Sequence, residues 1–138
     1  MQTFLPLEDF DESMKCLDYK RLGKQRVETW QIWLTLSTGR KSWSNHPAVK
    51  MWKGHEKWLL SYGVSCCNEW ISRGYNDSLL LKFIDAFESI DNNPFPKWIG
   101  NEKFHSSHRS NLLRKDFNWY SKFGWLDNPN MGYYWPIG

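Results

Sequence analysis

The sequence predicts an all-α fold, a single compact domain of about three main helices with an irregular aromatic C-terminal tail. Apolar residues recur at three- and four-residue intervals, and helix-capping residues and glycines separate the periodic segments. No segment shows the alternation of apolar and polar residues that is typical of a strand. A chain of 138 residues is long enough to bury its own core, so we expect one domain over 1–138.

A first helix is predicted from Asp9 to the Ser37-Thr38-Gly39 segment. Asp9, followed three residues later by Glu12, is similar to a capping box, in which a side-chain oxygen accepts a hydrogen bond from a first-turn amide. Gly39 is the expected stop, and Gly23 is the expected position of a kink.

A second helix is predicted after the loop GRKSWSNH, with Pro47 in its first turn, where a missing N–H costs nothing. Its apolar seam consists of Trp52, His55, Leu59, Tyr62, Cys66 and Trp70. Gly74 is the expected end. Within the seam we interpret His55 as a packed, hydrogen-bonded core histidine rather than a ligand.

A short third helix is predicted over LLLKFIDAFESI, capped by Asp77 or Ser78, and a last helix over about residues 103 to 115. The prolines and glycine of DNNPFPKWIGNE separate the two. The tail DFNWYSKFGWLDNPNMGYYWPIG is too rich in Gly, Pro and Asn for a long helix and too aromatic for disorder.

Composition limits the classes of function. A net charge of +3 permits a polyanionic partner without requiring one. No apolar run approaches the roughly 18 residues of a membrane span, and MQTFLPLEDFDE does not resemble an export signal. Three cysteines without CxxC spacing indicate reduced thiols rather than disulfides or a thiolate zinc site. We therefore expect a soluble, cytoplasmic protein with no membrane partner.

The first candidate site is a charged stripe in the first helix, formed by Lys20, Arg21, Lys24, Arg26 and Glu28. At 3.6 residues per turn, positions 21, 24, 25 and 28 share one face, whereas Arg26 lies at the border of the apolar side. The ordinary interpretation is a solvated face with internal ion pairs. The alternative is a face that binds phosphates.

The second candidate site is the segment FHSSHRSNLLRK. His105, His108 and Arg109 share one side of a turn, and Arg114 and Lys115 follow. Guanidinium groups, serines and protonated imidazoles can all donate hydrogen bonds to phosphate, which favours a phosphate-binding edge. Two histidines at three-residue spacing could also hold a metal, but no third ligand is nearby in the sequence. We therefore predict neither a metal nor a cofactor.

The third candidate site is the aromatic segment NWYSKFGW, with Trp119, Tyr120 and Lys122. The chain contains ten tryptophans, most of which we expect in the core. A loop that combines aromatics with a lysine is also typical of surfaces that stack on nucleic-acid bases. A C-terminal plug on the core is the alternative.

Taken in order, RLGKQRVE, SRGY and WYSKFG resemble the phage endonuclease V family of pyrimidine-dimer DNA glycosylases. The last segment is similar in kind and place to that family's aromatic WYKYYG-type segment. The resemblance implies a DNA repair glycosylase with an associated abasic (AP) lyase activity. Its partner would be double-stranded DNA that contains damaged or modified bases, and we expect it to act as a monomer.

The resemblance also implies the catalytic groups. In the family the α-amine of the N-terminus attacks the sugar carbon of the damaged nucleotide and forms an imine, and a glutamate of the first helix supports ring opening and elimination. These roles fall on Met1 and Glu28 of this sequence. Arg21, Lys24 and Arg26 would then neutralise the flanking phosphates.

Several alternatives stay open. Gln2 is too large for ordinary removal of the initiator methionine, so either Met1 supplies the amine, or a lysine such as Lys20 or Lys24 does, or the lyase step is absent. An alignment on Tyr19 and Leu22 would put Arg21 at the glutamate's position. A non-catalytic nucleic-acid-binding module and a metal nuclease built on the two histidines of the second site are the competing functions.

Overall fold

The computed structural model describes residues 1–136, and within this range the chain contains helices and no strands. In chain order the helices are α1 (Phe10–Cys16), α2 (Tyr19–Thr38), α3 (Pro47–Lys50), α4 (Glu56–Ser72), α5 (Leu80–Ser89), α6 (Glu102–Lys115) and α7 (Phe117–Tyr120), followed by a 3-10 turn at Ser121–Phe123. The predicted all-α class is confirmed, but the expected number of about three main helices is too low.

The predicted first helix is in fact two helices, and the break is at Leu17 and Asp18 rather than at Gly23. Both residues have extended backbones, with ψ of 138° and 159°. The Tyr120 hydroxyl holds this break, because it accepts a hydrogen bond from Asp18 N at 3.1 Å and donates one to the Asp18 carboxylate. The predicted ends are confirmed: Asp9 caps Glu12 N at 2.8 Å, and Gly39 follows α2 in the left-handed region.

Gly23 lies inside an unbroken α2 and serves helix packing. A Cβ atom at this position would lie 2.9 Å from the Trp70 ring of α4, which is closer than real contacts allow. The absence of a side chain therefore lets α2 and α4 approach each other, and these two helices form the main helix pair of the fold.

The predicted second helix is also interrupted. Pro47 is the first residue of α3, as predicted, but residues 51–55 form a turn before α4 begins. Gly54 adopts a φ of 86° in this turn, and His55 lies at the N-terminal boundary of α4. His55 is half-buried and its Nδ1 lies 2.8 Å from the carbonyl oxygen of Pro94, so it is hydrogen-bonded as predicted but outside the core.

Asp77, not Ser78, caps α5. Its Oδ2 accepts hydrogen bonds from Leu79 N at 3.0 Å and Leu80 N at 2.7 Å. Helix α6 begins one residue before the predicted start and is capped by the Asn101 side chain. Beyond α6 the described tail contains only α7 and the 3-10 turn, which agrees with the prediction that it forms no long helix.

The core lies between α2, α4 and α6 and includes a segment without regular secondary structure. Leu22 and Ile32 of α2 and Leu59 of α4 are completely buried. Residues 2–6 at the N-terminus are buried among them, which brings the start of the chain to α2. None of the helices within residues 1–136 combines the length and apolar character needed to cross a membrane.

Candidate active site

A cleft of about 390 Å³ opens along the first half of α2. Its walls come from the N-terminal segment, α2, the last residue of α6 and the tail, and they consist of Met1, Gln2, Phe4, Lys20, Arg21, Lys24, Gln25, Glu28, Lys115 and Tyr133. Four of these side chains are cationic and one is a carboxylate. The four cations favour an anionic ligand, and a ligand bound there would also contact the carboxylate of Glu28.

The N-terminal segment is fixed by hydrogen bonds to its backbone. Phe4 N donates to Gln25 Oε1 at 2.8 Å, and the Tyr62 hydroxyl donates to the Phe4 carbonyl at 2.7 Å. Leu5 N donates to Nδ1 of His108 at 2.8 Å. These bonds satisfy polar groups that burial removes from water, so the residues that follow Met1 have a defined position.

His105 and His108 are structural residues rather than part of a phosphate-binding edge. His105 Nε2 accepts a hydrogen bond from Gly100 N at 2.9 Å, so its Nδ1 donates to the Leu5 carbonyl, 2.8 Å away. Burial lowers the pKa of both histidines, that of His108 to about 3, and both are neutral at pH 7. Buried neutral rings that bind the backbone do not fit the predicted phosphate contacts of His105 and His108.

Glu28 lies beside the start of the chain. Its Oε2 accepts a hydrogen bond from Gln2 N at 2.9 Å, and its Oε1 lies 3.7 Å from Lys24 Nζ. The Glu28 side chain is 13% exposed, whereas that of Lys24 is 74% exposed. Because Gln2 directly follows Met1, the carboxylate is adjacent to the residue that carries the α-amine.

The structure brings four of the predicted DNA-binding cations to the cleft. Lys20, Arg21 and Lys24 come from α2, and Lys115 from the end of α6. The two α2 lysines and Lys115 are exposed, and Arg21 forms a partly exposed ion pair with Asp18 at 3.2 Å. Lys115 is far from α2 in the sequence, so it is the fold that brings this lysine close to the three cations of α2.

Arg26 lies away from this cationic surface, in the helix interface. Its guanidinium binds the Asp77 carboxylate, with Nε at 2.8 Å from Oδ1, and lies 4.8 Å from the centroid of the Trp70 ring. The side chain is 10% exposed. Removing one partner of such a buried pair typically costs about 3–5 kcal/mol of stability. The predicted phosphate contact of Arg26 therefore does not fit its position.

Arg109 is also engaged within the protein. Its Nε lies 2.9 Å from Asp127 Oδ1, its Nη1 donates to the Pro6 carbonyl at 2.7 Å, and it pairs with Glu102. The side chain is 12% exposed. Arg109 thus joins α6 to the N-terminal segment and the tail, which does not fit the predicted phosphate contact.

The aromatic segment after α6 is divided between core and surface. Tyr120 is completely buried, stacks on Trp125 and binds Asp18, so it is a core plug rather than a stacking platform. The Trp119 Nε1 donates to the Cys16 carbonyl at 2.7 Å, and Lys122 Nζ lies 3.3 Å from the centroid of the Trp119 ring. Trp119 and Lys122 line a separate groove that shares no residue with the cleft.

Sequence reasoning missed His46 and Tyr133. Tyr133 forms part of the cleft wall. His46 caps α3 by accepting a hydrogen bond from Ala48 N at 3.0 Å. Burial lowers the pKa of His46, the α-amine of Met1 lowers it further, and Glu28 opposes both effects. His46 therefore lies within the electrostatic field of both groups, a proximity that no local sequence pattern indicates.

Comparison with known proteins identifies the family. A model of the pyrimidine dimer DNA glycosylase family matches residues 1–83, which is more than half of the chain and includes Met1, all of α2 and Glu28. No curated protein and no solved structure matches the chain significantly. The resemblance of the sequence motifs to the endonuclease V family is confirmed. The chain belongs to the family of pyrimidine dimer DNA glycosylases.

Proposed function

We propose that this protein is a DNA glycosylase with AP lyase activity that excises pyrimidine dimers or another damaged or modified base through an imine with its own N-terminal amine. The observation that carries the proposal is the 2.9 Å hydrogen bond from Gln2 N to Glu28 Oε2, inside a cleft lined by cations. It supports a site in which a carboxylate and the terminal amine reach the same sugar. The protein would act as a single-domain monomer on duplex DNA.

The proposed reaction assigns a step to each group. The neutral α-amine of Met1 attacks C1′ of the damaged nucleotide and the glycosidic bond breaks, which releases the base with the bonding electron pair. The C1′–O4′ bond then breaks as one proton passes from the attached nitrogen to O4′, which opens the sugar ring and gives a protonated imine between the amine nitrogen and C1′. Loss of a proton from C2′ expels the 3′ phosphate and cleaves the strand. The Glu28 carboxylate stabilises the positive charge that develops on the sugar and the imine.

The geometry favours Met1 and Glu28 over the alternatives from the sequence. Arg21 carries a positive charge, pairs with Asp18 and cannot supply a carboxylate, which argues against the alignment that puts it at the catalytic position. Lys24 is mostly exposed and directed toward Glu28 as its counter-ion. Lys20 also lines the cleft and is the remaining internal amine to be tested.

Reduction with borohydride tests the proposed chemistry. We expect a covalent protein–DNA adduct with duplexes that contain an abasic site or a pyrimidine dimer, and none with undamaged duplex, because borohydride reduces an imine to a stable amine. Chelator should leave the adduct unchanged. Absence of an adduct on both damaged duplexes would favour the non-catalytic binding module, and loss of cleavage in chelator would favour a metal nuclease.

The exposed lysines of the cleft should carry the salt dependence of DNA binding. We expect Lys24→Ala and Lys115→Ala each to weaken binding to a duplex with a non-cleavable abasic analogue and to reduce the salt slope by roughly one unit, because each removes one phosphate contact. Binding by fluorescence anisotropy at several salt concentrations measures this. Lys82→Ala is the control, since Lys82 is exposed on α5, which lies outside the cleft. Unchanged slopes in both variants would remove the cleft from the DNA interface.

A further inference from the structure

A row of aromatic rings leads from the wall of the cleft to the protein surface. Tyr133 lines the cleft, and its ring centroid lies 5.5 Å from that of Trp135. Trp135 packs edge-on against His46 at 6.0 Å, and His46 packs in the same way against Trp43 at 6.0 Å. We call these four residues the aromatic row. Its outer end is open, because Trp43 is 55% exposed.

The backbone at Trp43 is strained. Its φ is 67°, and it is the one non-glycine residue with positive φ within residues 1–136. A bulky side chain in this region costs free energy, and such strain concentrates at functional sites. The loop keeps the conformation through short-range hydrogen bonds, including one from His46 N to the Trp43 carbonyl at 2.9 Å. The strained backbone therefore presents a large apolar ring to solvent, and this ring is not part of the hydrophobic core.

The surroundings of Trp43 suit nucleic acid. Arg40 and Lys41 belong to the same loop and are exposed. Aromatic rings on loops beside basic residues form stacking platforms for bases, because the ring contacts a base face while the cations neutralise the backbone. The loop is also connected to the cleft, since Trp43 packs against His46, and the row continues through Trp135 to Tyr133 in the cleft wall.

We propose that Trp43 is a base-stacking residue, whose indole packs against a nucleobase of the bound duplex next to the target nucleotide. The inference rests on the proposed function, because it places the DNA over the same cleft. A protein partner on this exposed ring is the competing occupant. When the duplex opens at the target nucleotide, a neighbouring base loses its stacking partner. Stacking on the Trp43 indole would replace that partner and so stabilise the distorted DNA on which the proposed reaction takes place.

Two substitutions separate stacking from strain. Trp43→Gly removes the ring and relieves the strain, because glycine adopts positive φ freely. Trp43→Phe keeps a ring and keeps the strain. We expect the glycine variant to bind dimer-containing duplex about 5- to 150-fold more weakly while its melting temperature stays equal or rises. The phenylalanine variant should bind within a few-fold of the wild type. Phe117→Ala is the control, since Phe117 is 64% exposed on α7 and outside the cleft.

A second arm distinguishes failure of this inference from failure of the proposed function. On a single-stranded abasic oligonucleotide at saturating concentration, the glycine variant should form as much borohydride adduct as the wild type, because Met1 and Glu28 are unchanged. Absence of the adduct in the wild type would overturn the proposed function. A normal adduct with wild-type duplex affinity in the glycine variant would overturn only the role of Trp43.

Photocrosslinking then tests the contact directly. With 5-iodouracil placed in turn beside and opposite the lesion, we expect one position to give an adduct that maps to the peptide containing Trp43. That adduct should disappear in the glycine variant and persist in the Phe117→Ala control. Adducts that map elsewhere at every position would overturn stacking at Trp43 and leave its exposed ring to a protein partner.

Discussion

Replacing Glu28 with glutamine is expected to slow strand cleavage by about 100-fold or more while DNA binding is retained or strengthened. Glutamine has the same size, and its amide oxygen can still accept the hydrogen bond from Gln2 N. What is lost is the negative charge that stabilises the cationic sugar and imine. Binding should not fall, because the substitution removes a negative charge from a cleft that must accept DNA and frees Lys24 from its counter-ion.

Single-turnover cleavage of dimer-containing duplex, together with anisotropy measurements of binding, checks this expectation. Glu69→Gln is a matched control. Glu69 is 17% exposed, close to the exposure of Glu28, and it pairs with Arg73 at 2.8 Å outside the cleft. This control should cleave at the wild-type rate. If Glu28→Gln cleaves as fast as the control, the assignment of Glu28 is wrong.

The parts of the fold that could be predicted are those that local chemistry determines. Asp9 and Asp77 accept hydrogen bonds from amides two or three residues away, and Gly39 and Gly74 end helices through their own backbone conformation. The break at Asp18 could not be predicted in this way. The hydroxyl that binds Asp18 at the break belongs to a tyrosine 102 residues further along the chain.

The same distinction applies to the residues of the predicted site, some of which local periodicity places and others only distant contacts. The shared face of Lys24 and Glu28 follows from helical periodicity, and the structure keeps the two together in the cleft. The Leu5 backbone groups that bind His105 and His108 lie about 100 residues away, so the local spacing of the histidines could not distinguish a phosphate-binding edge from anchors of the N-terminal segment. The burial of Arg26 against Asp77 could be predicted in part, because the sequence places Arg26 at the apolar border of the helix.

The anchoring of the N-terminal segment has a direct consequence for the proposed chemistry. Residues 2–6 are buried, and their backbone donates hydrogen bonds to side chains on two elements, from Phe4 N to Gln25 of α2 and from Leu5 N to His108 of α6. The segment therefore holds the Met1 end of the chain at the cleft. A group added before Met1 would lie at the cleft, because Met1 is one of its lining residues.

Blocking the α-amine of Met1 is accordingly expected to abolish the borohydride adduct. An uncleaved N-terminal tag converts the amine to an amide, and an amide nitrogen cannot form an imine. The tagged protein should keep its melting temperature, because the hydrogen bonds that hold the segment begin at Gln2 and leave the amine uninvolved. The same tag at the C-terminus is the control and should leave the adduct intact.

Mass mapping of the adduct formed by the untagged protein decides which amine reacts. We expect the modified peptide to begin at Met1, and we expect Lys20→Ala to form the adduct at the wild-type level when protein is saturating, since this lysine would only bind phosphate. An N-terminally tagged protein that still forms the adduct, with the modification at Lys20 or Lys24, would show that the assignment of Met1 is wrong while the imine chemistry stands. Glu28 would then serve a lysine of its own helix, and its hydrogen bond to Gln2 N would have only a structural role.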